Sequence, residues 1–274
     1  MIQQLSFRAA ARLCVLLAAP VAPVAMALPA LGQSFGNPDV VKVDVLPGWR
    51  EADGTHYAGV RIQLAPGWKT YWRTPGDGGI PPQFDLTGSG NLVGFAPHMP
   101  RPTVFDEDGL RSVGYKTEVV FPLRLSAETA DAPIALNGSL FIGVCEEICM
   151  PAEVQLDAVL TAPGQSSALI AAALEAEPTR LNTPMTCAFE PTEEGLRVRA
   201  VVDAPQQNGE VAVLELPDPM LWVSHATTAR EGGRVVAEAE IRSGHDGPIQ
   251  IAREDLRLTL ISAGAAYDVQ GCRS

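Results

Sequence analysis

Two cysteines, Cys145 and Cys149, stand four positions apart and are the clearest candidates for chemistry in this sequence. A close pair of thiols can form a disulfide and exchange it with other proteins, because one thiolate attacks and the second resolves the mixed disulfide. A metal site is one alternative. The C-x-x-x-C spacing is not a usual zinc spacing, although two thiolates and the thioether of Met150 would suit Cu(I). An inert structural bridge is the other alternative.

The first 32 residues have the pattern of a secretory signal peptide. Arg8 and Arg12 precede an apolar run that ends near Met26, and small residues place the cleavage site near residue 27 or residue 32. Two prolines interrupt the run, which argues against a membrane anchor. Cys14 would leave with the signal peptide.

Export changes the meaning of the four remaining cysteines, because exported proteins meet conditions that oxidise thiols. The spacing favours the bridges Cys145–Cys149 and Cys187–Cys272, since each then closes within one β-rich stretch. On the loop-entropy model, closing about five residues contributes about 2 kcal/mol and closing about 86 contributes about 4.6 kcal/mol. We therefore expect Cys187–Cys272 to be a structural staple and Cys145–Cys149 to be the bridge that opens.

An alternation of apolar residues predicts the register of a hairpin that joins the nearer cysteines. Apolar side chains recur at even-numbered positions in both arms, 134–144 and 152–160. If Cys145 lies opposite Cys149, all these side chains fall on one face. Both cysteines then share the opposite, more solvated face, at a Cα separation that a disulfide can span. Pro151 lacks an N–H group, so we expect the second arm at a sheet edge.

The whole chain has the composition of a folded, all-β protein. Of its 274 residues, 46% are hydrophobic and 19% charged, and 25 glycines with 23 prolines separate short segments; this excludes wholesale disorder and favours strands and turns. We predict two immunoglobulin-like antiparallel β-sandwich domains, residues 33–163 and 185–274, joined by a short helical linker, residues 164–184. The predicted strands are 40–45, 55–64, 118–125, 134–144 and 152–160, then 185–189, 196–202, 210–216, 234–241, 256–262 and 267–270. The linker helix is predicted over 168–174, capped by Ser166 or Ser167.

The net charge excludes one class of partner. At −12, the chain would be repelled by phosphate backbones, so we expect no nucleic acid binding. No segment after the signal peptide is apolar enough to cross a bilayer, so we expect no membrane span in the mature chain. The residues predict neither a bound metal nor another cofactor.

Two blocks of the sequence resemble a known family. Val144–Pro151, with the sequence VCEEICMP, is similar to the active-site hairpin of the N-terminal periplasmic domain of the thiol:disulfide interchange protein DsbD. The match is closer to the related suppressor-of-copper-sensitivity protein ScsB. Pro66–Gly79, with the sequence PGWKTYWRTPGDGG, resembles the same group, as does Gly114-Tyr115-Lys116. The resemblance covers roughly residues 38–162, and the linker and second domain also resemble ScsB.

The resemblance implies an immunoglobulin-like sandwich in the periplasm with a protein-disulfide reductase type of activity. In the family a thioredoxin-like partner reduces the cysteine pair, which then reduces other periplasmic thiol proteins. Cys145 and Cys149 would carry this exchange here, with Cys149 as the attacking thiol. The family's membrane electron conduit and C-terminal thioredoxin-like domain have no counterpart in this sequence. We therefore expect a separate polypeptide to supply the reductant.

The family also shields the pair with a cap loop that places an aromatic over the sulfurs and acidic residues beside them. The corresponding segment here is 105–115. It contains Asp108 and Leu110, which stands nearest the position of the aromatic, and ends at Tyr115. The resemblance thus implies that this segment covers the disulfide in the unbound protein.

The residues between the cysteines indicate how reactivity would be restrained. Glu146 and Glu147 put two negative charges beside both sulfurs, which is expected to raise the thiol pKa values and slow indiscriminate exchange. Such a pair would react mainly with a docked partner.

Two other functions stay open on the sequence alone. One is a structural or adhesion-type β-sandwich with two inert disulfides, and the other is a copper-tolerance accessory that binds Cu(I). Reduction of a single bridge by a thioredoxin-like protein would argue against the first. Cu(I) binding that is lost in Cys145→Ser would favour the second.

Overall fold

The structure is a computed structural model of the chain, and it describes residues 39–107, 109–244 and 247–273. The described residues lie in one compact unit. The predicted signal peptide, residues 1–32, and the predicted cap residue Asp108 lie outside the described residues.

The N-terminal sheet pair, residues 41–160, is a sandwich of two antiparallel sheets. Its strands are β1 (Val41–Arg50), β2 (Thr55–Leu64), β3 (Lys69–Gly76), β4 (Gln83–Asp85), β5 (Leu92–Pro97), β6 (Thr103–Glu107), β7 (Leu110–Lys116), β8 (Glu118–Ala127), β9 (Ile134–Cys145) and β10 (Cys149–Leu160). One sheet has the order β1-β2-β8-β5, and the other has the order β10-β9-β3-β7-β6, with β4 beside β9. Side chains from both sheets meet in one apolar cluster, in which Phe121 of the first sheet and Trp72 and Leu140 of the second are fully buried.

A short helix, α1 (Ala168–Glu175), follows the N-terminal sheet pair. The Ser167 hydroxyl accepts a hydrogen bond from the backbone N–H of Ile170, which is the expected N-cap. Ile170 is fully buried against Val120, and a Cβ on Gly59 would come 2.8 Å from its Cγ1. The helix within the predicted linker therefore docks on the outer face of the β1-β2-β8-β5 sheet.

The C-terminal sheet pair, residues 179–273, is the second sandwich. Its strands are β11 (Thr179–Arg180), β12 (Met185–Thr192), β13 (Gly195–Val202), β14 (Val211–Glu215), β15 (Leu221–Val223), β16 (Thr227–Glu231), β17 (Arg234–Ser243), β18 (Arg257–Ile261), β19 (Ala266–Gln270) and β20 (Cys272–Arg273), with a 3-10 turn at Arg253–Asp255. The sheet orders are β11-β19-β18-β14 and β15-β17-β13-β12-β20, with β16 beside β17. The pairs β11–β19 and β12–β20 are parallel, and the rest are antiparallel.

The predicted all-β fold class is confirmed, because the sheets of the described residues are mainly antiparallel and little of the chain is helical. The two sheet pairs are in contact through their cores, since Ile261 of β18 is buried within the N-terminal cluster. No helix among the described residues is long and apolar enough to cross a membrane. Strands β3, β6 and β7, which build the site below, were not predicted.

Candidate functional site

The hairpin of β9 and β10 holds two cysteines at its closed end. Cys145 lies opposite Cys149 and Ile142 opposite Ala152, so the predicted register is confirmed. A disulfide joins Cys145 to Cys149, with 4.2 Å between the Cα atoms. Strand β10 is the outermost strand of its sheet, as expected from Pro151, which has no N–H group to donate.

The two cysteines differ sharply in exposure. Cys149 is exposed at the first residue of β10, whereas Cys145 is only 1% exposed. The expectation that both share a solvated face is therefore wrong for Cys145. The reason is that β3 pairs with β9 at this point, with Lys69 directly opposite Cys145. Cys149 is therefore the cysteine of this disulfide that solvent can reach.

Tyr71, on β3, is in contact with both sulfurs. Its hydroxyl donates a hydrogen bond to Cys145 Sγ at 2.7 Å, and its Oη lies 3.2 Å from Cys149 Sγ. A donor in this position stabilises negative charge on the Cys145 sulfur when the disulfide opens, because hydrogen bonds to charged groups are the stronger ones. Tyr71 is part of the Pro66–Gly79 block that carried the resemblance, but the sequence did not reveal its role.

Two glycines make the slot for the Tyr71 ring, which is 2% exposed. A Cβ on Gly79 would come 2.6 Å from Tyr71 Cδ1, and a Cβ on Gly143 would come 3.2 Å from Cδ2. Burial and, secondly, the negative charge of Glu107 raise the pKa of Tyr71. The phenol therefore keeps its proton at neutral pH and stays a hydrogen-bond donor.

The hairpin of β6 and β7 bends back over the face that carries Tyr71. At the tip, Glu107 of β6 pairs with Leu110 of β7. Leu110 and Lys116 are six positions apart, and in a flat strand their Cα atoms would be about 20 Å apart. Yet the Glu107 carboxylate lies 3.1 Å from Lys116 Nζ and 2.5 Å from Lys69 Nζ. Two side chains cannot span 20 Å, so the hairpin must curl. We call the cluster Lys69–Glu107–Lys116 the latch, because it holds the hairpin tip beside the residue opposite Cys145.

The segment 105–115, expected to be a cap loop, is thus mostly strand. Leu110 stands at the tip and is 61% exposed. Tyr115 points into the core instead of toward the sulfurs: its hydroxyl donates to the Pro100 carbonyl at 2.8 Å, and its ring packs edge-on against Phe121. Since successive strand residues face opposite sides, Tyr115 and Tyr71 lie on opposite faces of the sheet.

The loop between the cysteines is solvent-exposed. Glu146 and Glu147 are both exposed, with Glu146 over the Gly67 turn, where a Cβ on the glycine would come 2.6 Å from Oε1. Ile148, although apolar, is 76% exposed. The hairpin tip therefore presents two carboxylates and one apolar side chain beside Cys149.

The second disulfide lies in the C-terminal sheet pair. It joins Cys187 of β12 to Cys272 of β20, with 5.7 Å between the Cα atoms, and both cysteines are buried. The pairing inferred from spacing is confirmed for both bridges. Among the described residues, no three His, Cys, Asp or Glu side chains are grouped as metal ligands would be.

Comparison with known proteins gives a family match over the region that contains the site and a similar solved structure. Residues 40–161 match the family described as thiol:disulfide interchange protein DsbD, N-terminal. No curated protein matches the chain. Among solved structures, the N-terminal periplasmic domain of ScsB from Proteus mirabilis matches with a TM-score of 0.67 and 21% identity, over 86% of this chain and 95% of that chain.

These matches cover the region that the sequence blocks singled out. The structural likeness supports the fold over both sheet pairs, and the family match spans the N-terminal sheet pair, including the β9–β10 hairpin with its disulfide. The predicted resemblance to the DsbD N-terminal and ScsB group is therefore confirmed, with residues 40–161 as the part of this chain that matches the DsbD N-terminal family.

Proposed function

We propose that the chain is a periplasmic thiol:disulfide exchange module that relays reducing equivalents from a thioredoxin-like reductant to other periplasmic thiol proteins. Cys145 and Cys149 are its reacting groups, and a separate membrane protein would supply the electrons. The observation that carries the proposal is an exposed Cys149 bonded to a buried Cys145, whose sulfur already accepts a hydrogen bond. The family match over residues 40–161 supports the same chemistry.

The geometry gives the two sulfurs different parts in the exchange. A thiolate of the reductant attacks the exposed Cys149 Sγ, the Cys145–Cys149 bond breaks, and Cys145 leaves as a thiolate that Tyr71 stabilises. The second thiolate of the reductant then attacks the mixed disulfide. This forms the reductant's own disulfide and releases Cys149 as a thiolate, so two electrons have moved. The reduced pair passes them to a client disulfide by the same steps in reverse.

Apolar side chains near the disulfide would serve docking. Ile148 at the tip of the cysteine hairpin and Leu110 at the tip of the β6–β7 hairpin are both largely exposed. In the proposed relay these two side chains would bury apolar area against a docked partner, which favours association. Glu146 and Glu147 add the restraint on small thiols that the sequence predicted.

A trapping experiment tests the assignment of roles. Full-length Cys145→Ser and Cys149→Ser variants, each keeping one thiol of the pair, are incubated with a thioredoxin that lacks its resolving cysteine and carries its remaining cysteine as a disulfide with a small thiol. Attack by the variant's thiolate releases the small thiol, and the mixed disulfides are counted by mass. We expect Cys145→Ser to form a stable adduct through Cys149, and Cys149→Ser to form much less because Cys145 is buried.

The wild-type chain provides the second measurement. Reduced thioredoxin is expected to reduce Cys145–Cys149 much faster than an equal concentration of a small monothiol does. Equal trapping by both variants would contradict the roles given to the two sulfurs. If thioredoxin has no advantage over the small thiol, the relay itself is wrong and an inert β-sandwich is the better description.

A further inference from the structure

A partly buried ion pair ties the strand that carries Tyr71 to the C-terminal sheet pair. Arg73 of β3 donates through Nε to Glu215 Oε2 at 2.7 Å and through Nη2 to Oε1 at 3.0 Å. Thr74 donates to the same carboxylate at 2.8 Å, as does Thr259 of β18 at 3.0 Å. The Glu215 side chain is only 10% exposed. All four bonds converge on one carboxylate at the end of β14.

The Arg73–Glu215 ion pair lies in the part of β3 whose pairing with the neighbouring strands is irregular. Strand β3 pairs with β9 at Lys69 and Thr70, and with β7 from Lys69 to Tyr71. The register with β7 then shifts until Gly76. Among the described residues, the stretch 72–75 thus has no regular ladder partner. Arg73 also lies over the Trp72 ring, 3.7 Å from its centroid, so the guanidinium is fixed by both its neighbour and Glu215.

We propose that Glu215 is a positioning residue for the redox pair: the C-terminal sheet pair holds the end of β3 and so keeps the Tyr71 hydroxyl against Cys145 Sγ. Arg73 is two positions from Tyr71 along β3, so a shift of the end of the strand that Glu215 holds would be transmitted through Trp72 to Tyr71. Small displacements matter because a hydrogen bond weakens steeply with distance and angle. The inference rests on the proposed function and gives the second sheet pair a part in it.

The test compares reduction kinetics in full-length variants. Dithiothreitol is the probe, and the rate of opening of Cys145–Cys149 is followed by thiol release and mass. Tyr71→Phe removes the hydroxyl that stabilises the leaving sulfur, and we expect opening to slow by about threefold to tenfold, the value of one hydrogen bond. Glu215→Gln keeps the shape of the side chain but weakens its bonds to Arg73. We expect the disulfide of this variant also to open more slowly, by about threefold.

Coupling distinguishes positioning from general destabilisation. If Glu215 acts through Tyr71, the double variant Tyr71→Phe plus Glu215→Gln should open no more slowly than Tyr71→Phe alone, because interacting sites are not additive. The pH midpoint of alkylation of the reduced pair should also rise in both single variants. Thr259→Val, which removes the hydroxyl that donates to Glu215 and accepts from Arg73 Nη2, serves if Glu215→Gln fails to fold and should show a smaller shift.

Glu210→Gln is the matched control. Glu210 forms a similarly buried two-bond pair with Arg230 inside the C-terminal sheet pair, away from β3. It should change stability but not the opening rate. Wild-type kinetics in Glu215→Gln, additivity with Tyr71→Phe, or an equal effect of Glu210→Gln would each overturn the positioning role. If the proposed relay function is wrong, thioredoxin will reduce the disulfide no faster than a small monothiol does. The dithiothreitol assay does not measure that comparison, so the two failures can be told apart.

Discussion

At the scale of single residues, the site depends on a phenol that faces away from the core. Tyr71 lies between Thr70, which donates to the Gly143 carbonyl at 2.8 Å, and Trp72, which is fully buried in the core. The alternation of the strand therefore turns Tyr71 to the outer face, where the sulfurs are. The phenol is protonated at neutral pH and its hydroxyl contacts both sulfurs, so its effect should appear in the chemistry of the pair.

Tyr71→Phe should change reactivity with little change in stability. Phenylalanine fills the slot between Gly79 and Gly143, so packing is kept while one hydrogen bond worth about 1 kcal/mol is lost. Stopped-flow reduction of the disulfide should slow, as argued above. Tyr115→Phe is the control, since it also removes a buried hydroxyl but on the core face; it should lower the melting temperature and leave reduction unchanged. Similar kinetics in both variants would contradict the role of Tyr71.

At the scale of elements, the β6–β7 hairpin is the part of the site that side-chain ion pairs hold in place. Its tip is fixed by the latch, in which Lys69 and Lys116 both donate to the Glu107 carboxylate. The segment 105–115 was expected to be a cap loop because the family resemblance implied one at this point of the chain. The curl of the hairpin depends on contacts with Lys69, which is distant in sequence, so local pattern could not reveal it.

Releasing the latch should expose the sulfurs. Deleting Leu110–Ser112 would remove part of β7, including the buried Ser112, so Glu107→Gln is the cleaner change. It should speed alkylation of the reduced pair by iodoacetamide several-fold at pH 7, measured by mass. Asp106→Asn is the control, because Asp106 pairs with Arg111 on the same hairpin but not with Lys69. If both variants behave as wild type, the hairpin does not shield the pair.

The same latch predicts a pH dependence. Hydrogen bonds from Lys69 first, and from Lys116 second, lower the pKa of Glu107. The folded state therefore favours the carboxylate, so the latch contributes fully above the usual glutamate range and is lost as the pH falls through the lowered value. Alkylation normalised to thiolate content should rise only in that acid range, and Glu107→Gln should abolish the rise.

At the scale of the whole molecule, two disulfides of different kinds occupy the two sheet pairs. Cys145–Cys149 closes a short, exposed hairpin, while Cys187–Cys272 joins buried positions 85 residues apart. On the entropic model the second is worth about 2–3 kcal/mol more. The structure also pairs β12 with β20 in parallel beside it, so the bridge reinforces a contact that few backbone hydrogen bonds support.

Mild reductant should therefore free two thiols while the fold persists. Mass mapping is expected to place both on the peptide that contains Val144–Pro151. Cys145→Ser plus Cys149→Ser should abolish exchange with little change in melting temperature, whereas Cys187→Ser plus Cys272→Ser should lower the melting temperature and keep exchange. Simultaneous opening of both bridges, or unfolding of the first double variant, would favour the inert sandwich.

Local pattern was sufficient for part of this architecture. The register of β9 and β10 follows from alternation together with the pairing of Cys145 and Cys149, because a one-residue slip would turn one arm's apolar side chains to the other face. Helix α1 follows from its cap and composition. Strand β3 was hidden because Pro66–Gly79 combines aromatic, basic and glycine residues without alternation. Its neighbours, β7 and β9, are far away in sequence, and so is Glu215. The outer face of the site is therefore a property of pairing between distant strands, which no single segment encodes.

The covalent link between Cys187 and Cys272 also limits how far this molecule can be stretched. If the chain is pulled from its two ends, force passes across the bridge and bypasses the residues between these cysteines. At full extension about 86 residues span roughly 290 Å. Pulling cannot extend this segment until the Cys187–Cys272 disulfide is reduced. Reducing only the hairpin disulfide returns almost no length. The maximum length of the pulled chain would therefore be almost the same whether Cys145 and Cys149 are oxidised or reduced.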